Sequence, residues 1–503
     1  MTNVSDDDFP EESPKDSFSE GSNRETHSLS KAMNVTLGGQ AVKALIQVVT
    51  TITLARILNP SDYGAFAMVV AITGFGTLIG DLGLSTAAIQ AKVITQQQKS
   101  NLFWVSFMLG LVLCGVGFTA SGLLASYYQT PIVKPLVQLV SINFIIRGFS
   151  GQFSAQLSRN LRFGILAVSD ISAQVAGLAI AIPMGILGMG PWALAYQSLA
   201  VSLVTLLTII VPAHWWPSLP RRAPMKGLLF FGGSSFGVQA LTYITSNLDS
   251  VMLGRYLGAT ALGLYDRGYQ LFRMPVQQIA SPLTRVALPT LARVQDSSEK
   301  FERYLCAAQI GVTGIIGALF SLLAALATPI VVLLYGEQWV QVGPILSVLA
   351  IGGLFQMMSY VYYWGFLGLG KSAVQFRYSI VTRIQMVLII VIWGRTGLIE
   401  MACAVTISLA FNWVVLAFFA WPKTGHRMNR VHLVAIRAII VHILVGGLVF
   451  GVDYVIASDW TVFLRLLLGF AVAVAGYSIG LLAVPSLRND ICDARKVMKE
   501  KII

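Results

Sequence analysis

Long apolar segments recur along almost the whole chain, and short polar stretches separate them. Each segment is long enough to cross the hydrocarbon core of a bilayer as an α-helix. Fourteen such segments are predicted, at about 34–55, 64–88, 102–126, 131–152, 164–186, 190–212, 227–254, 262–290, 305–327, 344–369, 374–394, 398–421, 433–456 and 461–484. The pattern therefore predicts an all-α polytopic membrane protein with about fourteen transmembrane helices.

Polar positions inside three of these segments follow the helical period, so each set occupies one helix face. In 34–55 the set comprises Thr36, Gln40, Lys43, Gln47 and Thr50. Positions 199 residues later, in 227–254, are also polar: Ser235, Gln239, Thr242, Ser246 and Asp249. Segment 262–290 carries a third stripe, made of Asp266, Gln270, Arg273, Gln277 and Ser281. Packing between helices would also use polar stripes, but matched stripes favour a shared aqueous cavity.

The same offset of 199 residues reveals an internal repeat, because 38–66 aligns on 237–265 without a gap and with seven identities in 29 positions. The two copies lie in the first and seventh segments, an even offset of six, so both have the same orientation and are related by an axis along the membrane normal. We expect an N-lobe (31–215, helices 1–6) and a C-lobe (220–422, helices 7–12), which are pseudo-symmetric six-helix units. Two further helices (430–485) and two tails, 1–30 and 486–503, complete the predicted organisation.

Composition and charge agree with a membrane protein. The chain is 55% hydrophobic and 12% charged, whereas soluble domains carry about 25% charged residues. Residues 1–30 are acidic and resemble a disordered tail rather than a signal peptide. With both termini cytoplasmic, 25 Lys and Arg residues fall on the inner side and four on the outer side. This asymmetry follows the positive-inside rule and predicts a bacterial inner (plasma) membrane protein with cytoplasmic termini.

Charges at membrane depth identify the candidate site, because each costs about 2.5–3.5 kcal/mol even on insertion scales. The predicted substrate-binding residues of the cavity are Lys43, Gln40, Gln47, Arg273, Gln270, Gln277, Gln239, Arg147, Arg267 and Arg383. Asp249, Asp81, Asp266 and Asp170 are candidates for charge partners or for coupling to H⁺ or Na⁺. Structural pairing remains open for Arg147, and Arg267 has Asp266 beside it. Surplus positive charge favours an anionic substrate, with Lys43 and Arg273 as candidate phosphate ligands.

Two other patterns carry no predicted chemistry. The four cysteines have no paired spacing, so we expect neither a metal site nor a disulfide framework. GFLGLGKS (365–372) matches the phosphate-binding loop of nucleotide hydrolases, but that loop requires a strand before it and a helix after it. Here it joins two predicted membrane helices, so nucleotide binding is not expected. No catalytic residue, cofactor or nucleic-acid partner is predicted.

Four segments carry a resemblance to a known family: ARILNPSDYGAFA (55–67), NLDSVMLGRYLGATALGLYDRGYQL (247–271), ALPTLARVQ (287–295) and LLYGEQW (333–339). They resemble Wzx-type polysaccharide flippases of the multidrug/oligosaccharidyl-lipid/polysaccharide exporter superfamily. The resemblance covers about 29–485. It implies two six-helix lobes with helices 1, 2, 7 and 8 around a cavity, alternating access, and export of an isoprenoid-diphosphate oligosaccharide to the outer leaflet. A polysaccharide polymerase and export machinery would then be partners.

Other functions remain open at this point. Within the superfamily they are a peptidoglycan-precursor flippase and a cation drug exporter, although the latter would favour acidic cavity residues. A different class would be a membrane glycan polymerase or glycosyltransferase. The sequence has neither the long outer loop expected of the former nor the acidic cluster at a membrane face expected of the latter.

Overall fold

A computed structural model describes residues 38–40, 42–426, 428–456 and 460–499. The acidic tail 1–30, the beginning of predicted segment 34–55 and the end of the chain lie outside the described residues. In chain order the helices are α1 (Gly38–Ile57), α2 (Pro60–Asp81), α3 (Leu84–Gln90), α4 (Gln96–Tyr128), α5 (Val133–Arg159), α6 (Phe163–Ile186), α7 (Pro191–Ile210), α8 (Lys226–Tyr256), α9 (Gly258–Arg293), α10 (Ser298–Gly311), α11 (Ala318–Ala325), α12 (Ala327–Tyr335), α13 (Val342–Gly368), α14 (Ser372–Trp393), α15 (Leu398–Val414), α16 (Asn429–Val455), α17 (Val462–Ala483) and α18 (Pro485–Lys499).

Twelve helical stretches of the described chain are long and apolar enough to cross a membrane. One of them joins α10 to α11 through the π-helical turn Val312–Gly317, and another extends α15 through a second π-helical turn, Val415–Ala420. The two remaining predicted spans are α5 and α9, which have 27 and 36 residues and carry more polar side chains. Each of the fourteen predicted segments thus corresponds to a helix, and the predicted all-α membrane fold is confirmed.

Local sequence signals explain how α2 and α4 begin. Asn59 caps α2 and Pro60 occupies its first turn, while Asn59 N donates a hydrogen bond to Asp62 Oδ2 (3.0 Å). In α4, Thr95 accepts from the Gln98 backbone N–H and its own N–H donates to Gln98 Oε1 (2.9 Å). These reciprocal bonds satisfy backbone groups that a helix start leaves without partners. The bond between Asn59 and Asp62 fixes the first turn of α2, which faces the C-lobe.

The helices pack as two groups that meet along α2 and α9. In the N-lobe α4, α5 and α7 pack together and α6 lies against α7, whereas in the C-lobe α13 packs against α9, α11 and α15. The largest buried side chains lie mainly in the C-lobe, including Trp339, Trp364 and Trp421. Helix α2 lies along both α8 and α9, and α16 and α17 pack against each other beside α11. The principal interface between the lobes is therefore built by helices that carry, or lie beside, the predicted polar stripes.

The segment that matches a phosphate-binding loop does not have the required context. Its first residues form the end of α13, and its last residue begins α14. Lys371 donates to the Thr424 carbonyl oxygen at 2.5 Å. All regular secondary structure in the described residues is helical, so no strand precedes this loop there. The segment therefore lies in the turn between two long helices, as the sequence predicted.

Candidate functional site

Three adjoining cavities lie between and beside the lobes. The N-lobe chamber, of about 680 Å³, is enclosed by α2, α5 and α8 with contributions from α7 and α9. The interlobe chamber, of about 310 Å³, lies between α1, α2 and α9, and the C-lobe chamber, of about 800 Å³, lies between α9, α13, α14 and α15. Asn247 lines both the N-lobe and interlobe chambers, and Ser246 lines both the N-lobe and C-lobe chambers. The three chambers therefore share walls, and α8 contributes to each.

The N-lobe chamber is cationic. Arg147 of α5 and Arg273 of α9 both line it, and no Asp or Glu is among its described lining residues. Arg273 also contacts Gln277: with the amide oxygen facing the guanidinium, that oxygen accepts from Nε (2.7 Å) and Nη2 (3.2 Å). Arg147 has no hydrogen bond or ion pair from its guanidinium within the described residues, although structural pairing had remained open for it. Gln239 of α8 lines the same chamber.

The interlobe chamber contains a charge pair that is already neutralised. Arg267 Nη2 lies 2.6 Å from Asp266 Oδ2, and its guanidinium carbon lies 4.1 Å from the centre of the Tyr63 ring. Gln270 Nε2 donates to Thr51 Oγ1 at 3.3 Å, which joins α9 to α1. Gln47 also lines this chamber. Arg267 thus contacts Asp266 on its own helix and the Tyr63 ring of the other lobe, so its contacts link α9 to α2.

The C-lobe chamber is lined by arginines, amides, hydroxyls and aromatic rings. Arg383 of α14 donates from Nη1 to Thr245 Oγ1 of α8 at 2.6 Å. Gln277 and Arg285 of α9 line the chamber as well. Among the described lining residues no carboxylate is present. The chamber is therefore suited to a polar ligand that carries negative charge or many hydroxyl groups.

Lys43 occupies a different environment from Arg273. Its ammonium group lies 2.6 Å from Asp170 Oδ2 of α6, and the two side chains are 33% and 38% exposed. Lys43 lines none of the three chambers in the described structure, and Gln40 is exposed near the beginning of α1. The structure thus places Arg147, rather than Lys43, in a chamber with Arg273.

The remaining predicted acidic residues are engaged in local hydrogen bonds. Asp249 is 3% exposed and accepts from the Tyr265 hydroxyl at 2.8 Å and from the Ser250 N–H. Asp81 accepts from the Ser85 hydroxyl. Neither carboxylate lines one of the three chambers. In the described part of the chain no cluster of three or more His, Cys, Asp or Glu side chains could hold a metal ion.

The structure also brings residues to the site that the sequence reading missed. Tyr243 lines the N-lobe chamber, and Tyr360, Tyr363 and Gln356 line the C-lobe chamber. Arg285 was not among the predicted site residues, yet it continues the polar stripe of α9 four residues beyond Ser281. The four-residue spacing between Ser281 and Arg285 could therefore have identified Arg285 from the sequence. The aromatic residues gave none, because rings in an apolar segment look like ordinary lipid-facing or core residues.

Comparison with known proteins places the chain among polysaccharide transporters. A family model described as "Polysaccharide biosynthesis protein" matches residues 53–344. The "Lipopolysaccharide biosynthesis protein WzxC" of Escherichia coli (strain K12) is 26% identical over 387 residues, which cover 74% of this chain and 76% of that protein. The "Succinoglycan biosynthesis transport protein ExoT" of Rhizobium meliloti (strain 1021) is 26% identical over 342 residues, 67% of this chain and 68% of that protein.

Solved structures show the same fold. The "Lipid II flippase MurJ, inward closed conformation" superposes with a TM-score of 0.70 and 13% identity, over 89% of this chain and 99% of that one. An inward-facing multidrug resistance transporter of the MATE family gives 0.58 and 14%, over 76% and 94% respectively. The family match and the sequence relatives confirm the resemblance to Wzx-type flippases, and the solved structures confirm the predicted membrane fold.

Proposed function

The chain belongs to the polysaccharide biosynthesis protein family of multi-span membrane transporters, and on that premise we propose that it is a flippase. Its substrate is an isoprenoid-diphosphate-linked oligosaccharide, the repeat unit of a lipopolysaccharide, exopolysaccharide or capsule. The flippase moves this lipid from the cytoplasmic to the outer leaflet of the bacterial inner membrane, with both termini cytoplasmic. The relatives named for lipopolysaccharide and succinoglycan biosynthesis support this substrate class.

The observation that carries the proposal is the pair of arginines in the N-lobe chamber. Arg147 and Arg273 approach it from different lobes, and no acidic side chain among the described lining residues competes with a ligand for them. A guanidinium binds two phosphate oxygens at once, so two guanidinium groups suit a diphosphate. Charged side chains inside a membrane carry a high desolvation cost, so they are usually found where they bind a substrate, an ion or another charge. We assign the diphosphate to this chamber.

Alternating access supplies the movement. The outer ends of the lobes are held together by contacts such as Trp339 Nε1 to the Ala55 carbonyl oxygen (2.7 Å) and Arg56 Nε to the Leu334 carbonyl oxygen (3.1 Å). Breaking these bonds would open the chambers outward, while the lipid tail stays in the bilayer. The internal parallel repeat provides the two units that rock against each other. Polymerase and export machinery would then receive the flipped lipid.

Two alternatives within the superfamily are weaker. A cation exporter would require carboxylates facing its substrate, and the N-lobe and C-lobe chambers have four arginines and no carboxylate among their described lining residues. A peptidoglycan-precursor flippase shares the anionic lipid chemistry, but the polysaccharide relatives support the repeat-unit substrate instead. An enzymatic role as polymerase or glycosyltransferase lacks support from the chambers, since acid–base chemistry on sugars ordinarily uses paired carboxylates.

Among the described residues that line the three chambers, Asp266 is the one carboxylate that could couple transport to H⁺ or Na⁺, and it already pairs with Arg267. Asp249 is the buried alternative, and its bond to Tyr265 would have to open for an ion to reach it. No cofactor is part of the proposal.

Mass spectrometry of isoprenoid-linked glycans tests the function in cells. In a strain that lacks the gene, one lipid-diphosphate oligosaccharide should accumulate, and restoring the wild-type gene should remove it. A gene encoding R147Q/R273Q should leave the accumulation in place at normal protein levels. An unchanged glycan-lipid profile in the deletion strain, with surface polysaccharide intact, would contradict the proposal.

A further inference from the structure

A fourth cavity, of about 720 Å³, lies between α10, α16 and α18, and none of its lining residues lines one of the three chambers. On α10 the lining positions run from Glu299 to Ile310, and on α16 from Arg430 to Arg437, at the spacing of a single helix face. With both termini cytoplasmic, as proposed, α10 and α16 begin at the inner side of the membrane. This inner-face cavity therefore lies where the cytoplasm meets the bilayer.

The inner-face cavity carries both signs of charge, unlike the N-lobe and C-lobe chambers. Its basic lining residues are Arg303, Arg430, Arg437 and Lys496, and its acidic lining residues are Glu299, Glu302, Asp490 and Asp493. Two pairs are already formed, since Arg437 Nη1 lies 3.2 Å from Asp490 Oδ2 and Lys496 Nζ lies 3.3 Å from Asp493 Oδ1. A lining with balanced charge suits a ligand that carries a positive and a negative group rather than an anion alone.

Arg430 and Glu299 are available to such a ligand. The backbone N–H of Arg430 donates to Glu302 Oε1 at 3.3 Å, but its guanidinium makes no hydrogen bond or ion pair among the described residues. The Glu299 carboxylate also has no such partner there, and both side chains are exposed to a ligand. Glu299 precedes Glu302 by three residues, which is about 5 Å along a helix. A cation and an anion without partners in the described structure thus lie on neighbouring turns of two helices.

The α10 wall of the cavity changes from charged to apolar as the helix enters the membrane. Ile310 lies at the far end of that wall, and Leu433, which is 50% exposed, and Val434 line the cavity from α16. Beyond Ile310 the helix continues with Gly311 and Gly314, which are exposed and where a Cβ would meet nothing within 4 Å. A shallow apolar groove therefore leads from the charged end toward the hydrocarbon core. This gradient matches a phospholipid, with its headgroup at the charged end and an acyl chain beyond it.

From these observations we propose that the inner-face cavity binds an aminophospholipid of the cytoplasmic leaflet, whose headgroup joins a phosphate to a primary ammonium through two carbons. Arg430 binds the phosphate oxygens, and Glu299 accepts hydrogen bonds from the ammonium, which has three N–H donors. An acyl chain lies along Ile310 and Gly314. The inference uses the proposed topology but not the proposed substrate, because this lipid occupies a separate cavity from the transported one.

Native mass spectrometry of the purified full chain in detergent tests this site. The probes share the same acyl chains and are phosphatidylethanolamine, phosphatidylcholine, whose quaternary ammonium has no N–H, and phosphatidylglycerol, which has no ammonium. Wild-type protein should retain phosphatidylethanolamine severalfold more than either of the others. R430Q should lower retention of phosphatidylethanolamine and phosphatidylglycerol about threefold, the scale of an exposed charge contact. E299Q should weaken phosphatidylethanolamine alone and so remove its preference.

Matched controls are K300Q and D296N, because both side chains are exposed at the beginning of α10 and neither lines the cavity. Both should keep the wild-type preference. Equal retention of the three lipids by wild-type protein, or a preference for phosphatidylglycerol, would overturn the proposal. R430Q and E299Q proteins that behave like the two controls would also overturn it. E299Q carries the test if R430Q lowers the yield of folded protein.

Discussion

Gly64 and Gly263 are equivalent positions of the internal repeat, and each lies against the backbone of the other lobe. A Cβ at Gly64 would overlap the Ala259 carbonyl oxygen, and a Cβ at Gly263 would overlap the Pro60 carbonyl oxygen. The first turns of α2 and α9 are therefore in direct backbone contact around a pseudo-twofold axis. Contact this close requires glycine at both positions, so the backbones of α2 and α9 cross without intervening side chains.

Alanine at either glycine should separate the outer ends of the lobes. G64A and G263A place a methyl group where a carbonyl oxygen now lies, so the closed arrangement loses its packing and the outward-open population rises. Lys134 at the start of α5 and Gln341 just before α13 are both exposed, and the distance between electron spin resonance labels at these two positions should become longer.

The same repeat offers a matched control for that measurement. Gly38 and Gly237 are also equivalent positions, and a Cβ at either would meet nothing within 4 Å. G38A and G237A should leave the distance distribution unchanged and add a little helix stability, since alanine is favoured over glycine by about 1 kcal/mol within helices. Identical distances in the G64A and wild-type proteins would show that this crossing does not control closure.

Lys43 should act through Asp170 rather than through the substrate. K43Q leaves the Asp170 carboxylate unpaired at membrane depth, a situation that costs about 2.5–3.5 kcal/mol on insertion scales and less here because the pair is partly exposed. We expect K43Q to lower the level of folded protein and the double variant K43Q/D170N to restore both level and export. Export that stays absent in a fully expressed double variant would instead assign Lys43 to substrate binding.

Arg147 and Arg273 should contribute comparably to diphosphate binding. Replacing either by Gln removes one charge-assisted contact, which corresponds to about a tenfold loss of affinity for a prenyl diphosphate. Lys in place of Arg273 should recover only part of the loss, because an ammonium cannot bind two oxygens in the planar geometry of a guanidinium. Titration of the purified variants measures this. Equal affinity in wild type and R273Q would remove Arg273 from the site.

His442 should fix α16 and α17 to the C-lobe. Its Nε2 lies 2.8 Å from the Thr313 carbonyl oxygen in a π-helical turn, and its Nδ1 lies 2.8 Å from the Tyr477 hydroxyl. Y477F should lower the free energy of unfolding by about 1 kcal/mol, and H442A by more, since it also leaves the Thr313 carbonyl unpaired. Thermal unfolding checks this against Y454F, a change at a tyrosine that is 72% exposed. Equal melting temperatures for Y477F and Y454F would contradict it.

The helices and several residues that line the chambers could be predicted because both depend on local periodicity. The stripe of α9 led to Arg273, Gln270 and Gln277, all of which line chambers. Pairing across the fold could not be predicted in the same way. Asp170 was only one of several candidate partners, and it lies 127 positions from Lys43 in the chain, so only the packing of α6 on α1 reveals their contact.

Asp249 shows a second limit of sequence reasoning. It falls on the polar stripe of α8, which predicted a cavity position, yet its carboxylate binds Tyr265. A polar stripe identifies one face of a helix. In α8 this face contacts both α9 and the chambers, so some of its polar residues pack against α9 and others line a chamber. The tyrosines in the wall of the C-lobe chamber were missed for a different reason. A tyrosine ring suits a protein core and a sugar site equally well, so the sequence does not distinguish the two.

The most direct test of the flippase account is a flipping assay in reconstituted vesicles. A fluorescent prenyl-diphosphate disaccharide is incorporated into both leaflets, and an impermeant reductant then quenches the probe that reaches the outer leaflet. Vesicles with wild-type protein should lose nearly all fluorescence, whereas empty vesicles and vesicles with R147Q/R273Q should lose only the outer-leaflet share. Wild-type vesicles that behave like empty ones, with the protein folded and correctly inserted, would contradict the claim that this chain moves lipid-linked oligosaccharides across the membrane.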